Sequence, residues 1–471
     1  MFINIALITL TSSLIFFSPV FYGSVLVWSK HSIQLISFTI FALWLLNLYI
    51  EKKNLKFNIL KFLPLIFFIS LCFFQTLNLP NIIHEILSSK SYDVWDNSRT
   101  ILSELGPYYL KDQFSISIYP FATTSSLALI SSYIIFGFFL SRYITNKSRM
   151  LIIIIPIVLV SFFEAVIGFY QSFIAYGISH SQGAHGTFVN RNHFAGLLEI
   201  TIPLILGFAF SFNKHWHKGL KDTLHSIKYS DAIFKQIPVI LLVLFLLLAL
   251  FLSKSRMGIL SIFISLFFFY SNLSFFGRNY KNVLWFLAIS IIFFILLIFI
   301  VDINPILERF RDINANQRIL VWKDCYQAIK DFPLFGSGLG TFKYIYPLYK
   351  ENLKAAVDYH YAHNDYIHLL VETGLLGFSC LMTGLIILFK DAMKFLKYNT
   401  QTRNSYGYFI TLGALTGIVS ILVHSLADFN LHIPSNALYF TTMIGIIYGI
   451  NSNNDTKKII RVKKPSTKST N

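Results

Sequence analysis

The sequence predicts an all-α, polytopic integral membrane protein with about twelve transmembrane helices and a long, partly helical loop on one face. Three observations carry this. Of the 471 residues, 55% are hydrophobic and 13% charged, with a mean hydropathy of +0.61, whereas soluble domains hold about 25% charged residues. Apolar runs near the length that crosses about 30 Å of hydrocarbon recur along the chain. Basic residues fall on alternate loops between those runs. The composition excludes a soluble enzyme, a disordered chain and a disulfide scaffold.

The runs lie at 3–20, 32–50, 59–77, 119–141, 150–176, 193–212, 236–253, 257–276, 283–301, 366–389, 407–425 and 434–450. The first is the weakest, because Pro19 and Gly23 interrupt it. It lacks a basic leading region, so it is expected to be retained as a span. The strongest is Ile240 to Leu252. With the N-terminus in the cytoplasm, the cytoplasmic segments are 51–61, 142–149, 213–235, 271–282, 390–406 and 451–471. They carry 24 of the 39 Lys and Arg but 5 of the 22 Asp and Glu. This is the bias expected of cytoplasmic loops, so topology accounts for the net charge of +17 and nucleic acid is not expected as a partner. Both termini are then cytoplasmic. The chain divides into a bundle of about nine spans (1–301), a long outer loop (302–365), about three further spans (366–450) and a basic tail (451–471). A second outer loop covers 78–118. Cys72 and Cys380 lie in apolar runs and Cys325 in a polar segment, so no internal disulfide is expected.

Within the long loop, Asn316 to Asp331 places Ile319, Trp322, Tyr326 and Ile329 at helical spacing, and Pro333 ends the helix. The following Phe335-Gly336-Ser337-Gly338-Leu339-Gly340 is superficially like a phosphate loop. It lacks the Gly-Lys-Ser/Thr continuation and a preceding buried strand, so it reads as a turn.

Ionisable residues in or beside spans are costly and usually functional, and here they gather at the outer ends. Arg191 and His193 precede the sixth span. Arg256 sits in the short turn Ser253-Lys254-Ser255-Arg256 between the seventh and eighth. It either snorkels to lipid headgroups or forms an anion site, for which the planar guanidinium suits phosphate or diphosphate. Arg318 opens the loop helix with Trp322 one turn on, a surface suited to a phosphosugar or to ordinary cation–π packing. His363 lies in Tyr361-Ala362-His363-Asn364-Asp365-Tyr366, where the loop re-enters the membrane. Imidazole titrates near 6.5, so it is either structural or a proton acceptor. Asp365, His368 and Glu372 follow it along one helix face. A metal site at His360, His363, Asp365 and His368 is the competing idea, and no metal or cofactor is expected. His424, Asp428 and His432 flank the last outer turn, with Asp428 and His432 read as supporting or plain interfacial residues.

These residues resemble a known family. Arg318 to Trp322, Pro333 to Phe342, Tyr361 to Tyr366 and Glu372-Thr373-Gly374-Leu375-Leu376-Gly377 resemble the signature block of the O-antigen ligase/polymerase superfamily. Ser253 to Arg256, Asn190 to Gly196 and Asp428 to Pro434 are similar to further signatures, so the likeness runs over about 187–440. It implies a glycosyltransferase of the bacterial inner (cytoplasmic) membrane whose active site faces the periplasm. The donor would be a glycan on undecaprenyl diphosphate. The acceptor would be lipid A-core for a ligase, or a lipid-linked glycan for a polymerase, with membrane lipids around the protein. The family pattern of two arginines and a histidine falls on Arg256, Arg318 and His363 as catalytic residues. Arg191, His193, Trp322, Asn364 and Asp365 are expected to bind substrate. A polysaccharide transporter or flippase is the more distant alternative, since multiple spans with ionisable groups are common there.

Overall fold

A computed structural model describes residues 2–54, 58–104, 106, 114–175, 183–212, 231–277, 314–351, 359–402 and 404–462. Its helices are α1 (Phe2–Val20), α2 (Val27–Ile50), α3 (Leu63–Phe74), α4 (Asn81–Leu87), α5 (Ser89–Ser103), α6 (Pro120–Tyr143), α7 (Lys147–Tyr170), α8 (Arg191–Ser211), α9 (Asp231–Leu252), α10 (Arg256–Gly277), α11 (Asn314–Asp331), α12 (Phe342–Ile345), α13 (Asp365–Gln401), α14 (Ser405–His424) and α15 (Pro434–Val462). Among the described residues the strands are β1 (Asn78–Leu79) and β2 (Phe114–Ser115), paired antiparallel with Asn78 opposite Ser115. The all-α polytopic class therefore holds.

Nine helices among the described residues are long and apolar enough to cross a membrane: α1, α2, α6, α7, α8, α9, α10, α13 and α14. Three of the twelve runs account for the difference. The third forms only the 12-residue α3, after a short 3-10 turn at Ile59–Lys61. The ninth, 283–301, lies outside the described residues. The twelfth lies within α15, which is not among the nine.

Helices α8 and α14 form the centre of the bundle and pack against each other along most of their lengths. Lipid tails are as apolar as Leu, so helices associate in a membrane through close packing. Small residues provide it here. A Cβ at Gly413 or Gly417 would collide with the carbonyls of Pro203 and Ile200, and one at Gly207 with that of Phe409. Gly413 and Gly417 lie one turn apart on α14, the small-xxx-small arrangement that brings backbones together, and Gly207 faces them from α8. Replacing Gly417 by Leu should therefore wedge α8 from α14 and sharply lower the yield of monodisperse protein in detergent. Overpacking of this kind costs about 1–3 kcal/mol or more. Gly384→Ala should leave the yield unchanged, because its Cβ would meet only Pro64 at 3.9 Å.

The long loop has its own small core of Val321, Cys325, Ala328, Phe332, Phe342, Ile345, Tyr346 and Tyr349 against Ala362 and Val371. The sequence reading misjudged the buried stripe of α11. Trp322 and Ile329 pack at the edge of this core, but Ile319 and Tyr326 are exposed. The inward face is Val321, Cys325, Ala328 and Phe332, because small Cys325 and Ala328 admit the rings of the following segment. Tyr326 instead stacks under the Lys330 ammonium. All three cysteines are free thiols.

The glycine turn crosses α13 where that helix is broken at Gly374 (φ 61°, ψ −169°). Ser337 N donates to Val371 O, Gly338 N to Glu372 O, Leu339 N to the Gln75 side chain and Phe342 N to Glu372 Oε1. The amides that would cradle a phosphate are thus used to fasten the loop to α13 and to Gln75 at the end of α3, which supports the turn reading.

Candidate functional site

The ionisable residues meet at the end of the bundle where α8, α10 and α13 begin and α14 finishes. The centre is Asp428, in the turn between α14 and α15, with a carboxylate 1% exposed. Arg318, on the second turn of α11, places Nη2 3.8 Å from Asp428 Oδ2 and donates through Nη1 to Ala427 O. His363 places Nδ1 3.6 Å from Asp428 Oδ1, an ion-pair separation longer than a hydrogen bond. Asn192 Nδ2 donates to Oδ2 at 2.5 Å, and the Phe429 amide to Oδ1 at 2.9 Å. His424 Nε2 lies 4.0 Å from Oδ2. Burial alone would push the Asp428 carboxyl upward. The imidazole of His363 and the guanidinium of Arg318 outweigh it and hold the group well below the usual carboxylate range, as opposite charges at this distance do.

Local structure explains how His363 reaches Asp428. It sits at φ +50°, a left-handed conformation uncommon outside glycine, immediately before α13. Asn364 then caps the helix, its Oδ1 accepting from Tyr366 N and Ile367 N, a role Asn favours. Its Nδ2 donates to Leu426 O at 2.8 Å, tying this corner to the Asp428 turn. Trp322 Nε1 donates to Ala362 O at 2.9 Å. The Tyr361 and Phe429 rings stack at 4.2 Å, and His363 meets the edge of Phe429 at 4.9 Å.

Three of the residues expected to bind substrate are therefore engaged within the chain. Asn364 is a helix cap and Trp322 a clamp on the loop. Asp365 Oδ2 accepts from Ser425 Oγ (2.6 Å) and Leu431 N (3.1 Å), and its Oδ1 meets His432 Nδ1 at 2.6 Å. The expected line-up of His363 with Asp365, His368 and Glu372 is also corrected. Those three do lie on one side of α13, but the bend at residue 363 sends His363 to Asp428. His193 is buried against Phe429, its ring centroid 4.8 Å away. Arg191 and Arg256 are the first residues of α8 and α10 and are half-buried. Their helix starts pack together, since a Cβ at Gly258 would lie 2.7 Å from Ala195 Cβ.

Of the four residues the sequence suggested for a metal, only His368 belongs to the group that the structure brings together among the described residues. His368, Glu372 and His432 bring one ligand atom each within 4.8 Å of one another. The pairs already balance one another, with His368 Nε2 3.0 Å from Glu372 Oε1 and His432 bonded to Asp365. Burial opposes charge on His432, but the hydrogen bond to Asp365 and the nearby Glu372 raise its affinity for a proton. This set acts as a charged brace between α13 and the 425–433 turn.

Sequence reasoning undervalued Asp428 and missed Glu199, whose Oε1 lies 3.0 Å from His424 Nδ1 with both side chains fully buried. The available signal was a single carboxylate in the apolar run 193–212.

Residues 241–382 match the O-antigen ligase family. The match contains Arg256, Arg318, His363 and the start of α13, and leaves Arg191, His193 and Asp428 outside it. The chain is also similar to an uncharacterized protein of Haemophilus influenzae, 29% identical over 151 residues, which are 31% of this chain and 37% of that relative. The alignment thus spans little more than a third of the relative's length. The segment 241–382, which holds two arginines and the histidine of this site, is thus similar to the O-antigen ligase family.

Proposed function

We propose that the protein is an inner-membrane glycosyltransferase that moves a glycan from undecaprenyl diphosphate to a sugar hydroxyl of lipid A-core. One observation carries the reading. Arg318 and His363 converge on the buried carboxylate of Asp428, yet 28% and 26% of their side chains stay exposed. A cation and an imidazole held by one carboxylate, at the end of a membrane bundle, suit a reaction that releases a diphosphate and deprotonates a hydroxyl.

In the proposed reaction the acceptor oxygen attacks the anomeric carbon and the bond to the diphosphate breaks, inverting configuration. Undecaprenyl diphosphate leaves with the bonding pair. The hydroxyl proton passes to the ring nitrogen of His363 that faces away from Asp428, whose charge stabilises the imidazolium. Arg318 and Arg256 meet the charge growing on the diphosphate, where fixed donors in a low-dielectric site act most strongly. Arg191 and His193, at the start of α8, would border the bound substrate. The lipid chain would lie among the spans, with the site open to the periplasm.

Product analysis on purified protein in nanodiscs tests the function. Lipid-linked oligosaccharide is supplied with and without lipid A-core. Glycan on lipid A-core supports the ligase. Longer lipid-linked chains without that acceptor would make the protein a polymerase of the same superfamily. Donor moved across the bilayer with no new glycosidic bond would overturn the enzyme reading. In the same assay Arg318→Lys should lose about 10²-fold in rate, because a point charge cannot reproduce a fork that spans Ala427 O, Asp428 and a diphosphate oxygen. Full activity in the Lys variant would remove Arg318 from the mechanism.

A further inference from the structure

The proposed reaction makes no use of the Glu199–His424 pair. Glu199 lies eight residues into α8, about 12 Å along the helix from its start, and His424 is the last residue of α14. Both side chains are fully buried. Such a pair is a poor source of stability, because its desolvation offsets its attraction, and the close glycine packing of α8 on α14 already joins these helices. What it does supply is a direction. His424 Nδ1 meets Glu199 and Nε2 points towards Asp428 Oδ2, 4.0 Å away.

The hydrogen-bond pattern restricts where protons sit. If Glu199 is ionised, it accepts from Nδ1–H, and a bare Nε2 would face the Asp428 carboxylate lone pair against lone pair. A proton on Nε2 removes that conflict and makes His424 cationic. If Glu199 is protonated, it donates to Nδ1, and the neutral ring again carries its proton on Nε2. In both arrangements His424 turns an N–H towards Asp428. The titratable and charged groups around this cluster are Glu199 and His193 from α8, Arg318 from α11, His363 and Asp365 at the start of α13, and Asp428 itself. His424 and His363 therefore face different oxygens of the same carboxylate, Oδ2 and Oδ1, and compete for its charge.

We propose that Glu199 and His424 are positioning residues that act through Asp428 to keep His363 unprotonated and ready to accept the acceptor's proton. This rests on the reading of His363 as the base. With Glu199 present, the N–H and partial positive charge of His424 weaken the hold of Asp428 on a proton at His363. Without the pair, Asp428 is left to His363 and Arg318, and His363 protonates more readily.

The test uses His424→Gln, with Glu199→Gln as the control that keeps a hydrogen-bonding group on Nδ1, as full-length protein in nanodiscs. Two readouts are taken. One is the pH profile of kcat/KM for glycan transfer. The other is protonation of His363, followed by NMR of protein with 15N-labelled histidine and assigned with His363→Gln. Glu199→Gln should raise neither curve, because its amide still donates to Nδ1 and no positive charge is lost. In His424→Gln the acid limb of the profile and the His363 titration should both move to higher pH, by about one pH unit for a neighbouring positive charge removed. Near pH 6 transfer should fall about tenfold and recover at higher pH. A merely structural pair would lower yield and leave both curves in place, which would overturn the proposal. Should the His363 titration move while the rate profile does not, the inference stands and the role of His363 as base fails.

Discussion

His363→Ala is expected to lower glycan transfer by about 10²–10⁴-fold, the range typical of a general base, with the protein still folded. The fold should survive because the ring makes few structural contacts. It sits at the edge of Phe429 and Tyr359, its Nδ1 has no hydrogen-bond partner, and the 363 corner is held by Asn364, Trp322 and Asp365. Alanine keeps the Cβ, so the left-handed backbone at 363 carries about the same strain as before. The loss should fall on kcat, with the KM for the lipid donor changing less, because the ring acts on the acceptor hydroxyl in the transition state. Transfer within threefold of wild type at normal protein yield would exclude His363 from the chemistry.

Asp428→Asn should cost as much or more, about 10³–10⁴-fold in rate, comparable to removing the carboxylate that orients a catalytic histidine. The carboxylate serves Arg318, His363, His424 and Asn192 together. An amide of the same shape offers one acceptor oxygen and no charge, so the Arg318 guanidinium loses its counter-charge and His363 loses the group that stabilises its protonated form. Combining Asp428→Asn with His363→Ala should do little further harm, because the two act through one proton transfer. Unlike His363→Ala, this variant should also destabilise, since removing one partner of a buried charge network costs about 3–5 kcal/mol. The sign of the pH dependence follows from the depressed proton affinity of Asp428. The stability it contributes is present above the unfolded carboxylate value near 3.9 and is lost as pH falls towards the lower folded value. The gap in Tm between wild type and Asp428→Asn should therefore be constant above about pH 5 and close in stronger acid. A gap that widened on acidification would contradict the ion-pair account.

Much of the architecture was legible in the chain because membrane helices obey local rules. A run of apolar residues of the right length can do little but cross the bilayer, and the boundaries of α6, α8 and α14 lie within a few residues of the corresponding runs. The long-loop helix and its end before Pro333 follow from helical spacing and from proline's missing N–H. Arg318, His363 and the two basic helix starts were legible too, because a charge beside an apolar run stands out. Their grouping was not. Arg318 meets Ala427 across 109 residues, and Asn192 meets Asp428 across 236. Nothing in local periodicity encodes such pairs. The glycines of α14 bring its end against α8, the break at Gly374 anchors the glycine turn, and the left-handed corner at His363 turns one imidazole away from its sequence neighbours. By itself the sequence determined that this is a helical membrane protein with arginines and a histidine at one end. Only the tertiary structure decided that Asp428 is the charge Arg318 and His363 share. Close helix packing buried that carboxylate, and a buried charge draws every available partner around it.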